Sequence, residues 1–236
     1  MALACGEGQY AYRLGVDPAK IVRGLYGIDY TTWSALQTQR LQSAWPRSFL
    51  YVGRYTAGKA VDILVRAYSN YRSQVTDPWP LVCCGKGPLE FHWEGVSGIV
   101  NRGFLQPAEM NSIWQTAGVF ILPSRSDPWP LALVEAAAAG LPILCTDACG
   151  SGVEVVRPWY NGLIIPPSDV NALTQALLVF HHYYDELPTW GQRSQQSAAP
   201  YASEIWAIRW KEMLQNLSLS QTTEDNLNFS TITRTA

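Results

Sequence analysis

The chain carries little charge of either sign: Asp, Glu, Lys and Arg make up 15% of its 236 residues and leave a formal net charge of -2. Nucleic-acid surfaces neutralise several phosphates with clustered Lys and Arg, so this composition argues against a DNA or RNA partner. No apolar run reaches the eighteen or so residues that span a bilayer. The N-terminus has neither the basic region nor the apolar core of a signal peptide. A soluble, cytoplasmic protein, at most peripheral to the inner face of the membrane, is the expectation. The five cysteines contain no CxxC spacing. Cys83 and Cys84 are adjacent in an apolar run, and Cys145 and Cys149 flank a turn without a second ligand pair. Reduced structural thiols fit this pattern better than disulfides or a zinc site. The three histidines, His92, His181 and His182, do not lie at expected strand ends and read as surface or packing residues.

What the chain has in quantity is apolar surface, 47% of residues, enough to bury a sizeable core. From Ser48 to Tyr184 one unit recurs: a short apolar run, a turn rich in Gly, Pro and Ser, then a longer segment with apolar residues every three to four positions. That alternation predicts repeated βα units forming a parallel sheet with helices on both faces. Strands are expected at 48–53, 80–84, 99–104, 119–123, 142–146 and 163–165. Helices are expected at 59–75, 107–117, 131–139 and 168–184, with a short one after the CGSG turn at 149–152. Pro107 suits the first position of its helix and Gly140 the end of another. Beyond Thr189 the composition shifts to a polar linker, SQQSAAP, and then one helix near 202–217 carrying Trp206, Trp210 and Met213. The remaining residues, 218–236, have little to bury and are expected to be disordered.

In a parallel sheet, ligands lie over the carboxyl ends of the strands, where loops and helix N-termini supply N–H donors and positive dipole ends. Arg54 follows Gly53 at the end of the first strand and Lys59 opens the next helix, so both cations project over that edge. Two cations beside a glycine suit a diphosphate, although such residues also simply cap and solubilise a loop. The loop Ser124 to Pro130 is more unusual, since it carries Asp127 and Trp129 and leads to a helix with Glu135 between Leu131–Val134 and four alanines. Acids near a helix start are often only caps or dipole partners. A buried carboxylate on an otherwise apolar helix, however, needs a hydrogen-bond partner, and sugar hydroxyls would provide one.

The stretch PSRSDPWPLALVEAAAAGLPILCT resembles the signature of glycosyltransferase family 4, in which two acids eight residues apart flank a turn and lead into EAxAxGxPV. FLYVGRYTAGKAVDILVRAY resembles that family's VGR and KG segment, and LVCCGKGPLE its strand and GxGP turn. GFLQPAEMNSIWQTAGVFILPS and NGLIIPPSDVNALTQAL follow in the family's order, and LGVDPAKIVRGLYGIDYTTW resembles the stretch that crosses between the two domains. The resemblance implies a Rossmann-like fold, one half of a GT-B enzyme. It divides the chain into residues 1–47, the end of an N-terminal domain and the interdomain connection; 48–188, the donor-binding domain; 189–217, linker and C-terminal helix; and the 218–236 tail. A complete family member has a further Rossmann-like domain ahead of the connection.

By the same resemblance, Arg54 and Lys59 hold the donor diphosphate together with the helix N-terminus at Leu131, so no metal or other cofactor is implied. That accords with the lack of an Asp-x-Asp pair. Glu135 accepts hydrogen bonds from the nucleotide ribose and Asp127 contacts hydroxyls of the transferred sugar. The base lies near Gly103, Phe104 and Leu105, with Gly85 allowing close approach, while Gly53 and Trp129 complete the expected binding set. The implied reaction is transfer of a hexosyl group, with retention, from a nucleoside-diphosphate sugar to a lipid-linked or glycan acceptor in polysaccharide biosynthesis. The alternative is a catalytically incomplete module that needs a separate N-terminal GT-B domain as partner. Two departures from the family pattern weaken donor binding: Asp127 is one methylene shorter than the usual Glu, and Pro130 replaces a glycine and its N–H. GSG with Glu154 resembles the family's GGxxE but reads equally well as a turn.

Overall fold

A computed structural model of the chain describes residues 2–3, 11–23 and 26–216; the disorder expected for 218–236 falls outside them. Six strands, β1 (Phe49–Val52), β2 (Leu81–Cys84), β3 (Ile99–Gly103), β4 (Val119–Leu122), β5 (Ile143–Thr146) and β6 (Gly162–Ile165), form one sheet. All pair in parallel, in the order β3-β2-β1-β4-β5-β6. The central strands VFIL and ILCT are buried at every position, as a sheet covered on both faces requires. Edge strand β3, IVNRG, is largely exposed and carries its polar residues there. A register shift against β2 pairs Cys83 with Asn101 but Cys84 with Gly103, bulging the strand just before its carboxyl end.

The helices are α1 (Tyr30–Arg40), α2 (Val61–Arg72), α3 (Pro107–Thr116), α4 (Leu131–Ala138), α5 (Gly150–Val155), α6 (Val170–His182), α7 (Leu187–Ala198) and α8, residues 203–216. Helix α2 buries Val61, Ile63, Leu64, Ala67, Tyr68 and Tyr71, the stripe that its sequence spacing predicts. Proline does open α3, where a reciprocal pair between Gln106 and Glu109 closes the first turn. His181 fills a packing role, bonding the Tyr71 hydroxyl at 2.8 Å against the Trp79 ring. Cys83, Cys84, Cys145 and Cys149 are free, buried thiols.

Two segments differ from the expectation. Residues 187–198 end the expected domain and include the polar linker, yet they form α7, which buries Leu187, Trp190, Gly191, Ser194 and Ala198. The small residues are the reason: a Cβ at Gly191 would lie 2.2 Å from the Gly140 carbonyl oxygen, so α7 settles directly on the end of α4. A composition of Gly, Ser and Gln reads as linker, but here it permits close packing.

The second difference lies before β1. Helix α1, capped by Asp29 through the Thr32 amide and hydroxyl, belongs to the core and buries Leu36, Gln37 and Arg40. The Arg40 guanidinium is sealed from solvent and donates to the carbonyls of Ala139 at 2.8 Å, Gly140 at 3.3 Å and Trp114 at 2.5 Å. It therefore closes the carboxyl-terminal turns of α4 and α3, the ends that favour a cation. Burial lowers its pKa to about 10, within the range where it stays protonated at neutral pH.

Residues 26–28 and 201–203, which lead into α1 and α8, pair with each other. Ile28 N–H donates to Tyr201 O and Ser203 N–H to Ile28 O, both at 2.9 Å. Gly27 lies against Trp206, whose ring meets that of Trp210 at 6.0 Å, and both tryptophans are half-buried.

Candidate functional site

The strand order reverses direction between β1 and β4, and such a switch point opens a crevice at the carboxyl ends of the strands. On the other side of β1, the loops after β1 and β2 are joined by backbone bonds, Gly53 N–H to Cys84 O and Tyr55 N–H to Lys86 O, each 3.0 Å. Gly85 is indispensable to this contact: its φ is +148° and a Cβ would lie 2.0 Å from the Gly53 oxygen. The close approach it permits is thus between two loops of the protein itself. Beside them opens a cleft of about 510 Å³ lined by Gly53, Arg54, Gly85, Lys86, Phe104 and Leu105, with Met110. Gly103 supports its floor, accepting a 2.7 Å bond from the Gly85 amide.

Lys59 lies at the other end of the β1 loop. The following residue, Ala60, is fully buried with φ 54° and ψ 40°, a left-handed conformation costing a non-glycine residue roughly 1–2 kcal/mol. This loop abuts the one after β4, since Gly58 O accepts the amides of Arg125 at 2.8 Å and Ser126 at 3.4 Å. Arg125 rivets the junction, with a two-pronged bond to Asp62 at 2.9 and 2.7 Å, one to Ala57 O at 2.7 Å and one to Ser168 at 3.1 Å. The hydrogen bonds from Arg125 hold the Asp62 carboxyl below its usual range. Across the junction the Lys59 ammonium forms an ion pair with the Asp127 carboxylate.

Asp127 also bonds through its backbone to the loop after β5, from its N–H to Ala148 O at 3.1 Å and from Gly150 N–H to its O at 2.9 Å. The GSG turn is therefore committed, at Gly150, to holding Asp127. Leu131, 41% exposed, opens α4 behind Pro130, which provides no side-chain cap. Glu135, in the second turn, is half-buried, and its carboxylate makes no hydrogen bond or ion pair among the described residues. Desolvation raises its pKa.

The structure thus pairs Lys59 with Asp127 and gathers Gly53, Arg54, Gly85, Phe104 and Leu105 around one cleft. Trp129 is different: its indole is buried, stacked on Tyr26 at 5.5 Å and 18° and against Tyr201 at 5.7 Å and 55°. The side chain joins the Asp127 loop to the paired segments 26–28 and 201–203 rather than facing the cleft. Sequence reasoning passed over Lys86 and Met110 on the cleft wall and the clamp made by Arg125. Lys86 was findable, because it sits in the GKGP turn beside Gly85; the Arg125–Asp62 partnership spans 63 positions and left no local signal.

A doubly wound parallel sheet with a cleft at the carboxyl ends of its strands is a Rossmann-like α/β protein of the kind that forms one half of a GT-B glycosyltransferase. Residues 46–182 match the family model described as glycosyl transferases group 1, more than half of the chain, and the chain belongs to that family. It is 28% identical over 171 residues to an exopolysaccharide phosphotransferase of Streptomyces coelicolor, covering 70% of this chain and 18% of that protein. It is 31% identical over 166 residues to the D-rhamnosyltransferase WbpZ of Pseudomonas aeruginosa, covering 64% of this chain and 42% of that one. The match therefore spans less than half the length of each of these relatives. Among solved structures, the sucrose-phosphate synthase of Thermosynechococcus elongatus superposes with TM-score 0.76 at 20% identity, over 93% of this chain and 58% of that one. HepE of Anabaena in complex with UDP superposes with TM-score 0.74 at 16% identity, over 92% and 62%. Among the described residues no helix is long and apolar enough to cross a membrane.

Proposed function

We propose that this chain is the donor-binding half of a retaining glycosyltransferase that takes a hexosyl group from a nucleoside-diphosphate sugar to a glycan or lipid-linked acceptor. The observation that carries the reading is the meeting of the Lys59 and Asp127 loops beside a cleft lined by Arg54 and by the apolar Phe104 and Leu105. In this reading the base lies against Phe104 and Leu105, and Arg54 and Lys59 meet the diphosphate without a metal. Glu135 accepts from the ribose, and Asp127 contacts the sugar. Preorganised cations would stabilise the nucleoside diphosphate as it departs, which is how such a site would lower the barrier. UDP bound to HepE, a structural neighbour, supports a nucleotide ligand.

A second reading follows from the share of its relatives that the chain spans: it binds donor, and turnover needs an acceptor-binding half as well. Titrating a panel of nucleoside diphosphates against the chain tests the site. Arg54→Ala and Glu135→Ala should each weaken binding at least tenfold; no measurable binding, or variants that bind like the parent, would refute the assignment. Turnover that appears only on adding an acceptor-binding domain would establish the second reading.

A further inference from the structure

A second concavity lies at the opposite edge of the sheet, where residues 157–161 lead into the amino end of β6. It has a volume of about 300 Å³, the size of a site for one small-molecule unit, and is walled by the end of α5, this turn and α7. Its lining is polar, including Glu154, Arg157, Tyr160, Arg193, Gln196 and Tyr201.

The Glu154 carboxylate accepts the Tyr201 hydroxyl at 2.5 Å. Arg193 is fixed in place: its guanidinium lies 4.4 Å from the Tyr160 ring centroid and donates to Tyr160 O at 3.2 Å. Stacking of this kind holds the planar fork at a set angle with donors to spare. The Arg157 guanidinium makes no hydrogen bond or ion pair among the described residues. Among the described residues that line it, two guanidinium forks share the concavity with one carboxylate, and Gln196 adds neutral donor and acceptor groups.

The turn that carries Arg157 and Tyr160 is strained. Trp159 has φ +62°, a conformation costing roughly 1–3 kcal/mol for a bulky residue, yet its side chain is 59% exposed. Buried Asn161 enforces it, accepting the Arg157 amide at 2.7 Å and donating to Val155 O at 3.0 Å. The Trp159 ring meets the buried Trp190 edge-on at 6.4 Å and Tyr183 at 6.1 Å, which anchors the turn to α7.

We propose that this concavity binds an anionic saccharide unit, its carboxylate or phosphate held by Arg157 and Arg193 and its hydroxyls by Gln196 and Glu154. Bidentate guanidinium contacts suit both anions, and a 300 Å³ space is larger than an inorganic anion fills. The site stands apart from the nucleotide cleft and does not depend on how that cleft is read. Calorimetric titration of the full chain with glucuronic acid, glucose 6-phosphate, glucose and inorganic phosphate tests it. Both charged sugars should bind, with Arg157→Ala and Arg193→Ala each weakening them about tenfold or more, while titration with uridine diphosphate gives the same result for all three proteins. Arg157 has no other bond to lose, so its variant should fold as the parent does. Equal binding of glucose, equally tight binding of inorganic phosphate, or no effect of Arg157→Ala would overturn the proposal.

Discussion

The Lys59 ammonium and the Asp127 carboxylate, 68 positions apart in sequence, face each other across the junction of two loops and form an ion pair. Their side chains retain only 17% and 12% of their exposure, so the pair is better shielded from solvent than a surface bridge. Each neutralises the group that, in the proposed function, the other's ligand would meet. Binding a diphosphate therefore competes with Asp127 for Lys59.

That competition has a measurable sign. Asp127→Asn should raise the affinity for a bare nucleoside diphosphate, by roughly fivefold if about 1 kcal/mol of pairing is released. The same variant should lose whatever affinity the attached sugar adds. Lys59→Ala should weaken both ligands. Isothermal titration of the diphosphate and its sugar conjugate against each variant decides it, and the idea fails if Asp127→Asn weakens the bare diphosphate.

Glu135 predicts an exchange of stability for binding. Its folded-state pKa is raised by desolvation, so between the unfolded and folded values the native protein holds the proton that the unfolded chain has released. Stability conferred by that proton is present at low pH and is lost as pH rises through the folded value. Glu135→Gln should consequently melt above the parent at neutral pH, with the difference closing as pH falls into the carboxylate range. Thermal melts across that window check the sign; a variant less stable at neutral pH would show that the carboxylate is compensated.

Arg40 tests whether the segment before β1 belongs to the domain. Arg40→Met keeps the aliphatic stem but abandons the carbonyls of Ala139, Gly140 and Trp114. A loss of about 2 kcal/mol is expected, or roughly 4–8 °C in melting temperature, and Arg40→Ala should cost more because it also leaves a void. Melting temperatures within a degree of the parent would mean that α1 contributes little.

Much of this architecture was legible along the chain because it is written in local terms. Apolar runs such as VFIL and ILCT, punctuated by Gly and Pro and alternating with three-to-four-residue spacing, specify buried parallel strands and covering helices without knowledge of their partners. The acids Asp127 and Glu135 and the cations Arg54 and Lys59 stood out for the same reason, as polar residues in loops that the pattern places at strand ends.

What only the tertiary structure decided is pairing. Which cation meets which acid depends on the order of strands across the sheet, and that order brings the loops after β1 and β4 together while sending Trp129 toward Tyr26 and Tyr201. The helical state of 187–198 depends likewise on Gly191 fitting against Gly140, and the burial of Arg40 on helix ends 74 to 100 positions away. Contacts made across such separations are selected by the free energy of the whole packed domain, not by the propensities of the residues that make them.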